Sequence, residues 1–91
     1  MIKRVNIWVS GRVQGVFFRQ STKKMAKEYG VLGSVKNLED GRVEISAEAE
    51  EAQLKPFIDW CRKGPIAARV DHVEIIDQPV IAGELTSFNI L

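Results

Sequence analysis

The spacing of apolar residues changes abruptly near the N-terminus of the chain. Apolar residues occupy every second position between Arg4 and Ser10, which predicts a strand with one buried face. From Phe18 to Tyr29 they recur at helical spacing, and Gly30 follows where a helix would end. A strand that passes into a helix through a short glycine-containing loop restricts the chain to folds in which helices pack on a sheet.

The middle of the chain predicts a β-hairpin. Val35–Leu38 and Arg42–Glu48 both have strand-like patterns, and they flank the turn residues Glu39, Asp40 and Gly41. An Asp-Gly pair between two such runs supplies the backbone conformations that a tight turn requires.

A second helix and two further strands are predicted after the hairpin. The helix spans roughly Glu50–Lys63 and contains Pro56, so it either begins about one turn before this proline or has a distorted first half. The strands lie around Val70–Asp77 and Leu85–Leu91. The order of elements reads β-α-β-β-α-β and predicts the α+β class, a ferredoxin-like sandwich whose mainly antiparallel sheet carries two helices on one face.

Composition restricts the possible functions. The 91 residues are enough for one domain, residues 1–91. Thirteen basic against twelve acidic residues leave a net charge of +1, so neither a nucleic acid nor a membrane surface is an expected partner. The single cysteine, Cys61, cannot form an intrachain disulfide, and no leader or membrane segment is visible. These features favour a cytoplasmic monomer.

The loop from Gly11 to Arg19 is the first candidate site. Backbone amides in a glycine-flanked loop can converge on an anion, and a helix N-terminus adds partial positive charge. Arg19 falls in the first helical turn, where a cation makes better electrostatic sense if an anion occupies the loop. A plain glycine turn followed by a solvated arginine is nevertheless the commoner meaning of this spacing.

Asn37 is the second candidate. Its parity with Val35 places it on the inward face of its strand, where its amide needs polar partners. It could equally pair with the neighbouring Glu39–Gly41 turn, and parity does not decide between these uses. Cys61 and His72 are single residues without further ligands at metal-binding spacing, so no metal site is predicted, and Cys61 is expected to pack in the core.

Two segments carry a resemblance to a known family. Val9–Arg19 reads V-S-G-R-V-Q-G-V-F-F-R, and Gly33–Val43 reads G-S-V-K-N-L-E-D-G-R-V. The first resembles the first signature of the acylphosphatase family over its whole length, and the second resembles most of the second signature. Weaker similarity extends to the C-terminus, so that the resemblance covers essentially the whole chain and implies the same ferredoxin-like fold.

The resemblance implies hydrolysis of small acyl phosphates without a metal or cofactor, with inorganic phosphate or sulfate as product-like ligands. By position, Arg19 corresponds to the family's phosphate-binding arginine, Asn37 to its water-positioning asparagine and Thr22 to a threonine that supports the loop. The phosphate-binding loop, called the phosphate loop below, comprises Gln14, Gly15, Val16, Phe17, Phe18 and Arg19.

The chain departs from the family pattern at a few positions. Ser34 replaces a preferred aromatic residue, which affects packing or leaving-group contacts near Asn37. Ala49 replaces a usual glycine, so the turn into the second helix and Pro56 reflect a local change. Phe17 stands where many members carry glycine, although part of the family has phenylalanine there.

Other function classes fit less well. RNA-binding modules of this architecture stack bases on aromatic residues of the central strands. The outward positions of the third segment are Arg42, Glu44, Ser46 and Glu48, none of them aromatic, and only Trp8 of the first strand could stack. A metal chaperone needs two close cysteines. The alternative that stays open is a non-catalytic regulatory domain that binds phosphate or another anion.

Overall fold

The computed structural model describes residues 1–91 as a five-stranded sheet with two helices on one face. The elements are β1 (Ile2–Arg12), α1 (Phe18–Tyr29), β2 (Leu32–Asn37), β3 (Val43–Glu50), α2 (Glu51–Lys63), β4 (Arg69–Gln78) and β5 (Phe88–Ile90). The strand order is β4-β1-β3-β2-β5, and every neighbouring pair is antiparallel except β2 and β5. The predicted ferredoxin-like α+β fold is confirmed.

The core lies between the sheet and the helices. Ile7 of β1 and Ile45 of β3 are opposite each other in register and are fully buried, as their alternating pattern predicts. Helical spacing brings one stripe from each helix onto this face: Phe18, Thr22 and Ala26 from α1, and Leu54, Phe57 and Cys61 from α2. Each large apolar side chain buried here contributes about 1.5–3 kcal/mol, so this layer fixes the position of α1 on the sheet.

Strand β1 is longer than its alternation predicts. It continues through Gly11 to Arg12, with a bulge between Ser10 and Gly11 in its pairing with β4. At φ 128° a Cβ on Gly11 would lie 2.2 Å from the carbonyl oxygen of Arg69, so the two backbones approach closely only because this residue is glycine. The loop before α1 therefore begins at Val13, two residues later than the glycine spacing indicates.

Helix α2 begins at Glu51, about one turn before Pro56, which confirms the first of the two predicted starts. The proline ring costs one amide donor but lies close enough to the helix start to be accommodated. Ala49 is a buried residue of β3, so the chain passes from strand to helix with almost no connecting turn. Neither α1 nor α2 has the length and the apolar run needed to cross a lipid bilayer.

The C-terminal strand is shorter than the predicted Leu85–Leu91. Only Phe88–Ile90 forms β5, which runs parallel to β2 with Phe88 opposite Gly33. Continuing this register backwards would align Leu85 with the glycine that ends α1, where no strand is available as a partner. The short β5 nonetheless covers the edge of β2 and brings its own C-terminal end near Asn37.

Candidate active site

A cavity of about 340 Å³ lies where the loop before α1 meets the ends of β2 and β5. Arg19 and Asn37, which are 18 positions apart, both line it. The complete lining consists of Val13, Gly15, Phe17, Phe18, Arg19, Gln20, Asn37 and Ile90. The structure therefore brings together the two side chains that the sequence identifies separately.

Buried apolar side chains fasten the loop to the core. Val13, Val16 and Phe18 are 1%, 6% and 1% exposed, while Gly15 and Phe17 between them are exposed. The ring of Phe18 packs at a tilt against Trp60, with 5.6 Å between ring centroids. Because these three buried side chains anchor the loop in the core, the peptide groups between them are held in a fixed arch and cannot fold back on themselves.

The backbone amides of this arch have no backbone acceptors. Outside the regular helices and sheets, the first amide of the region to donate a backbone hydrogen bond is that of Ser21, to the carbonyl oxygen of Phe17 at 3.0 Å. Helix α1 has no side-chain cap, since Phe17 occupies the N-cap position, and its first turn contains no acidic residue. The donors that a capping side chain would normally satisfy are therefore available to an anion.

Arg19 adds a full positive charge beside these donors. It is a half-buried residue in the first turn of α1 and forms no ion pair with any carboxylate. A cation at a helix N-terminus opposes the helix dipole by about 0.3–1 kcal/mol at an exposed site. A bound anion would reverse the sign of this interaction and could accept two parallel hydrogen bonds from the guanidinium.

Phe17 has the only positive φ among the non-glycine residues. Its φ and ψ of 62° and 24° place it in the left-handed region, which costs an L-residue roughly 1–2 kcal/mol. Its side chain is 74% exposed and contributes little to the core. Strain of this kind at the edge of a cavity is a frequent feature of functional loops.

Asn37 ends β2 opposite Val43 and lines the cavity. Its Oδ1 atom is buried and has no hydrogen-bond partner. No hydrogen bond joins the Asn37 side chain to the hairpin turn, in which Asp40 accepts from the amide of Arg42 at 3.0 Å and from its Nε at 2.8 Å. These contacts lower the pKa of Asp40 and keep the turn closed without the asparagine.

Gln14 has a side-chain contact that its sequence position does not reveal. Its Nε2 atom donates to the carbonyl oxygens of Leu38 at 2.8 Å and Arg42 at 3.0 Å. These carbonyls belong to the hairpin that carries Asn37, so Gln14 connects the phosphate loop to this hairpin. No local pattern signals the contact, because the two partners lie 24 and 28 positions away.

The remaining predicted residues have mainly structural surroundings. The buried Val16 does not line the cavity, and Thr22 donates through Oγ1 to the carbonyl oxygen of Phe18 at 2.7 Å. Ser34 pairs with Ser46 and Asn89 in the sheet and lies outside the cavity lining. Ile90, which the sequence does not single out, lies at the cavity because β5 is parallel to β2.

Other reactive groups lie away from this cavity. Cys61 is fully buried, and burial raises the pKa of its thiol, so it stays protonated and packs in the core as expected. His72 is exposed on β4. No three histidine, cysteine or carboxylate side chains come together as a metal site requires.

We expect Gln14→Ala to lower the free energy of unfolding by about 1–2 kcal/mol, because two carbonyls lose a shared donor. Gln14→Glu should cost more, since a carboxylate cannot donate to either carbonyl. Urea unfolding measures both effects. The control Gln53→Ala, on the exposed side of α2, should change stability by less than about 0.5 kcal/mol. Equal stabilities for the Gln14 and Gln53 variants would show that the connection contributes nothing.

Comparisons with known proteins agree with this geometry. The acylphosphatase family model matches residues 5–90. The acylphosphatase of Rubrobacter xylanophilus is 51% identical over 81 residues, which cover 89% of this chain and 74% of that protein. The acylphosphatase of Syntrophus aciditrophicus is 45% identical and covers 100% of this chain and 94% of its own. The crystal structure of acylphosphatase from Bacillus subtilis superposes with a TM-score of 0.92 at 35% identity, covering 100% and 99% of the two chains. The family model and these relatives confirm the predicted resemblance and extend it over nearly the whole sequence. The chain belongs to the acylphosphatase family.

Proposed function

We propose that this acylphosphatase-family enzyme hydrolyses the carboxyl–phosphate bond of small acyl phosphates by in-line attack of an oriented water molecule. The products are a carboxylate and inorganic phosphate. The observation that carries the proposal is the row of backbone amides without acceptors beside the unpaired Arg19, in a cavity that also contains Asn37.

The amides and Arg19 are suited to a transferring phosphoryl group. Its transition state spreads negative charge over three equatorial oxygens and requires mainly positioning and electrostatic stabilisation. Several fixed N–H donors and a forked guanidinium supply both. Because the buried anchors Val13, Val16 and Phe18 hold the loop in place, little reorganisation is needed as the charge develops.

The leaving group removes the need for a general acid. The conjugate acid of a carboxylate has a pKa of about 4 to 5, so the carboxylate departs without protonation. In agreement with this, Arg19 is the only charged side chain that lines the cavity, and no carboxyl or imidazole group accompanies it. The site is therefore suited to an acyl phosphate rather than to a phosphate ester, whose alkoxide would need a proton.

Asn37 is the proposed water-positioning residue. Its Oδ1 atom lacks a protein donor and can accept a hydrogen bond from the attacking water, while its amide can donate to the substrate. An amide cannot remove a proton, so we propose that a phosphate oxygen finally accepts the proton of the water. Gln14 is a positioning residue in this scheme, since it fixes the hairpin of Asn37 against the phosphate loop.

We further propose that residues 1–91 act as one cytoplasmic, monomeric domain without a metal, cofactor or nucleic-acid partner. One sheet and one core include both signature segments, which supports a single domain. The net charge of +1 and the half-buried Glu44 on the outward face of β3 argue against a nucleic acid. Glu48, which the sequence places on the same face, is only 8% exposed and takes no part in this argument. Inorganic phosphate and sulfate would bind as product-like ligands.

The decisive assay is hydrolysis of benzoyl phosphate with and without EDTA. We expect turnover that the chelator does not change, because the amides and Arg19 perform the electrostatic role that a metal ion has in many phosphoryl-transfer enzymes. A protein that binds inorganic phosphate but leaves benzoyl phosphate intact would instead be the non-catalytic anion-binding domain. Loss of turnover in EDTA would contradict metal-independent hydrolysis.

Arg19→Ala should lower kcat/KM by about two decades, which is on the order of 3 kcal/mol of transition-state stabilisation. The fold should persist, because this side chain makes no ion pair and is only half-buried. The matched control is Arg12→Ala, an exposed arginine that does not line the cavity and whose loss should change kcat/KM by less than about threefold. Turnover near the wild-type rate for Arg19→Ala would rule out its assigned role.

Asn37→Ala should reduce kcat more than it weakens inhibition by inorganic phosphate, because the residue orients water rather than holding the anion. Steady-state kinetics with phosphate as competitive inhibitor separate the two effects. The control is Asn6→Ala, which removes the same type of side chain from the outer side of β1. It should change neither kcat nor the inhibition constant of phosphate. If the Asn37 variant keeps kcat but no longer binds phosphate, the assignment is reversed and Asn37 holds the anion.

A further inference from the structure

Two apolar side chains at the cavity have no part in the proposed reaction. Phe17 is 74% exposed and Ile90 is 37% exposed, so neither is needed to complete the core. They come from opposite ends of the sequence, one from the phosphate loop and one from β5, and yet line the same cavity. An exposed aromatic ring and an exposed branched side chain at one site provide a surface that apolar groups can cover.

The conformation of Phe17 strengthens the case for a specific use of its side chain. Two positions earlier the same loop has another left-handed residue, and there it is Gly15, with φ 74° and open space around the position of a Cβ. Glycine would suit position 17 equally well as far as the backbone is concerned. The chain instead places a large ring there, against its backbone preference and mostly in solvent. Loop geometry and core packing therefore leave this ring unexplained.

We propose that Phe17 and Ile90 form an apolar wall that contacts the acyl group of the substrate, so that the enzyme prefers acyl phosphates with aromatic or branched aliphatic acyl groups over acetyl and carbamoyl phosphate. The inference rests on the proposed function. The carbonyl carbon is joined to the phosphate through a single oxygen, so a phosphate on the loop amides keeps the acyl substituent within reach of neighbouring side chains. Ser34 lies outside the lining and does not offer such a contact.

The size and polarity of the cavity agree with this preference. Its volume of about 340 Å³ is at the lower end of ligand cavities, so the acyl group stays close to the lining. The other side chains there are Val13, Phe18, Arg19, Gln20 and Asn37, and none of them is acidic. Because both wall residues are partly exposed, the discrimination should be near the lower limit for an apolar contact, about tenfold.

The test is the ratio of kcat/KM for benzoyl phosphate to kcat/KM for acetyl phosphate. Both substrates carry the same phosphate, so any change at the loop amides affects them alike and cancels in the ratio. Phe17→Gly removes the ring at a position whose left-handed conformation glycine adopts freely, and it adds no capping oxygen that could occupy the loop amides. We expect it to lower the ratio about tenfold, Ile90→Ala to lower it about threefold, and Phe17→Tyr to keep it.

The matched control is Ile66→Ala. Ile66 is a fully exposed apolar residue outside the cavity lining, and its loss should leave the ratio unchanged. If the wild type hydrolyses both substrates but the Phe17 and Ile90 variants keep the wild-type ratio of kcat/KM, the proposed contact of these residues with the acyl group is ruled out. Acyl phosphate hydrolysis itself would then still stand. If the wild type hydrolyses neither substrate, the proposed function fails and the wall with it.

Discussion

The site depends on backbone amides that are prevented from finding partners. A flexible loop would turn its N–H groups toward its own carbonyls or a capping side chain, because unpaired donors are unfavourable. Here the core holds the loop by three buried side chains, Val13, Val16 and Phe18. Phe17 at the N-cap of α1 offers no side-chain acceptor. Core packing thus supplies the free energy that keeps the donors available, so the phosphate loop depends on the hydrophobic layer beneath it.

A second constraint joins this loop to Asn37, the proposed water-positioning residue. Asn37 and Arg19 are on different elements, and in-line attack requires their separation to be fixed within a fraction of an ångström. The two hydrogen bonds from Gln14 to the hairpin provide a direct connection, and the buried pair of β1 and β3 beneath provides a second. Part of the geometry of the site is therefore set by Gln14, a side chain that lies outside the cavity lining.

The sequence predicts which helices and strands form better than it predicts where they end. It likewise predicts Arg19 and Asn37 better than the contacts that hold them in place. Regular alternation and helical spacing identify every major element, because burial of one face controls both patterns. The boundaries of β1 and β5 depend instead on partners distant in the chain: the bulge at Gly11 needs β4, and the short β5 is limited by where α1 ends. The family resemblance names Arg19 and Asn37, but the Gln14 contacts and the position of Ile90 require the folded sheet.

Three locally unfavourable arrangements meet in this cavity. Arg19 opposes the dipole of α1, Phe17 adopts a left-handed conformation, and Asn37 keeps a buried oxygen without a donor. Elsewhere Glu51 lies at the start of α2, and glycine occupies every other left-handed position. Outside the cavity, Arg4 Nε, Ser46 Oγ and Glu48 Oε1 are also buried without hydrogen-bond partners, but no second exception of another kind accompanies them. A tetrahedral anion with an attached apolar group and an attacking water would interact favourably with all three. Because a single ligand of this composition contacts all three residues, their coincidence in one cavity is better explained by substrate binding than by three independent defects of the fold.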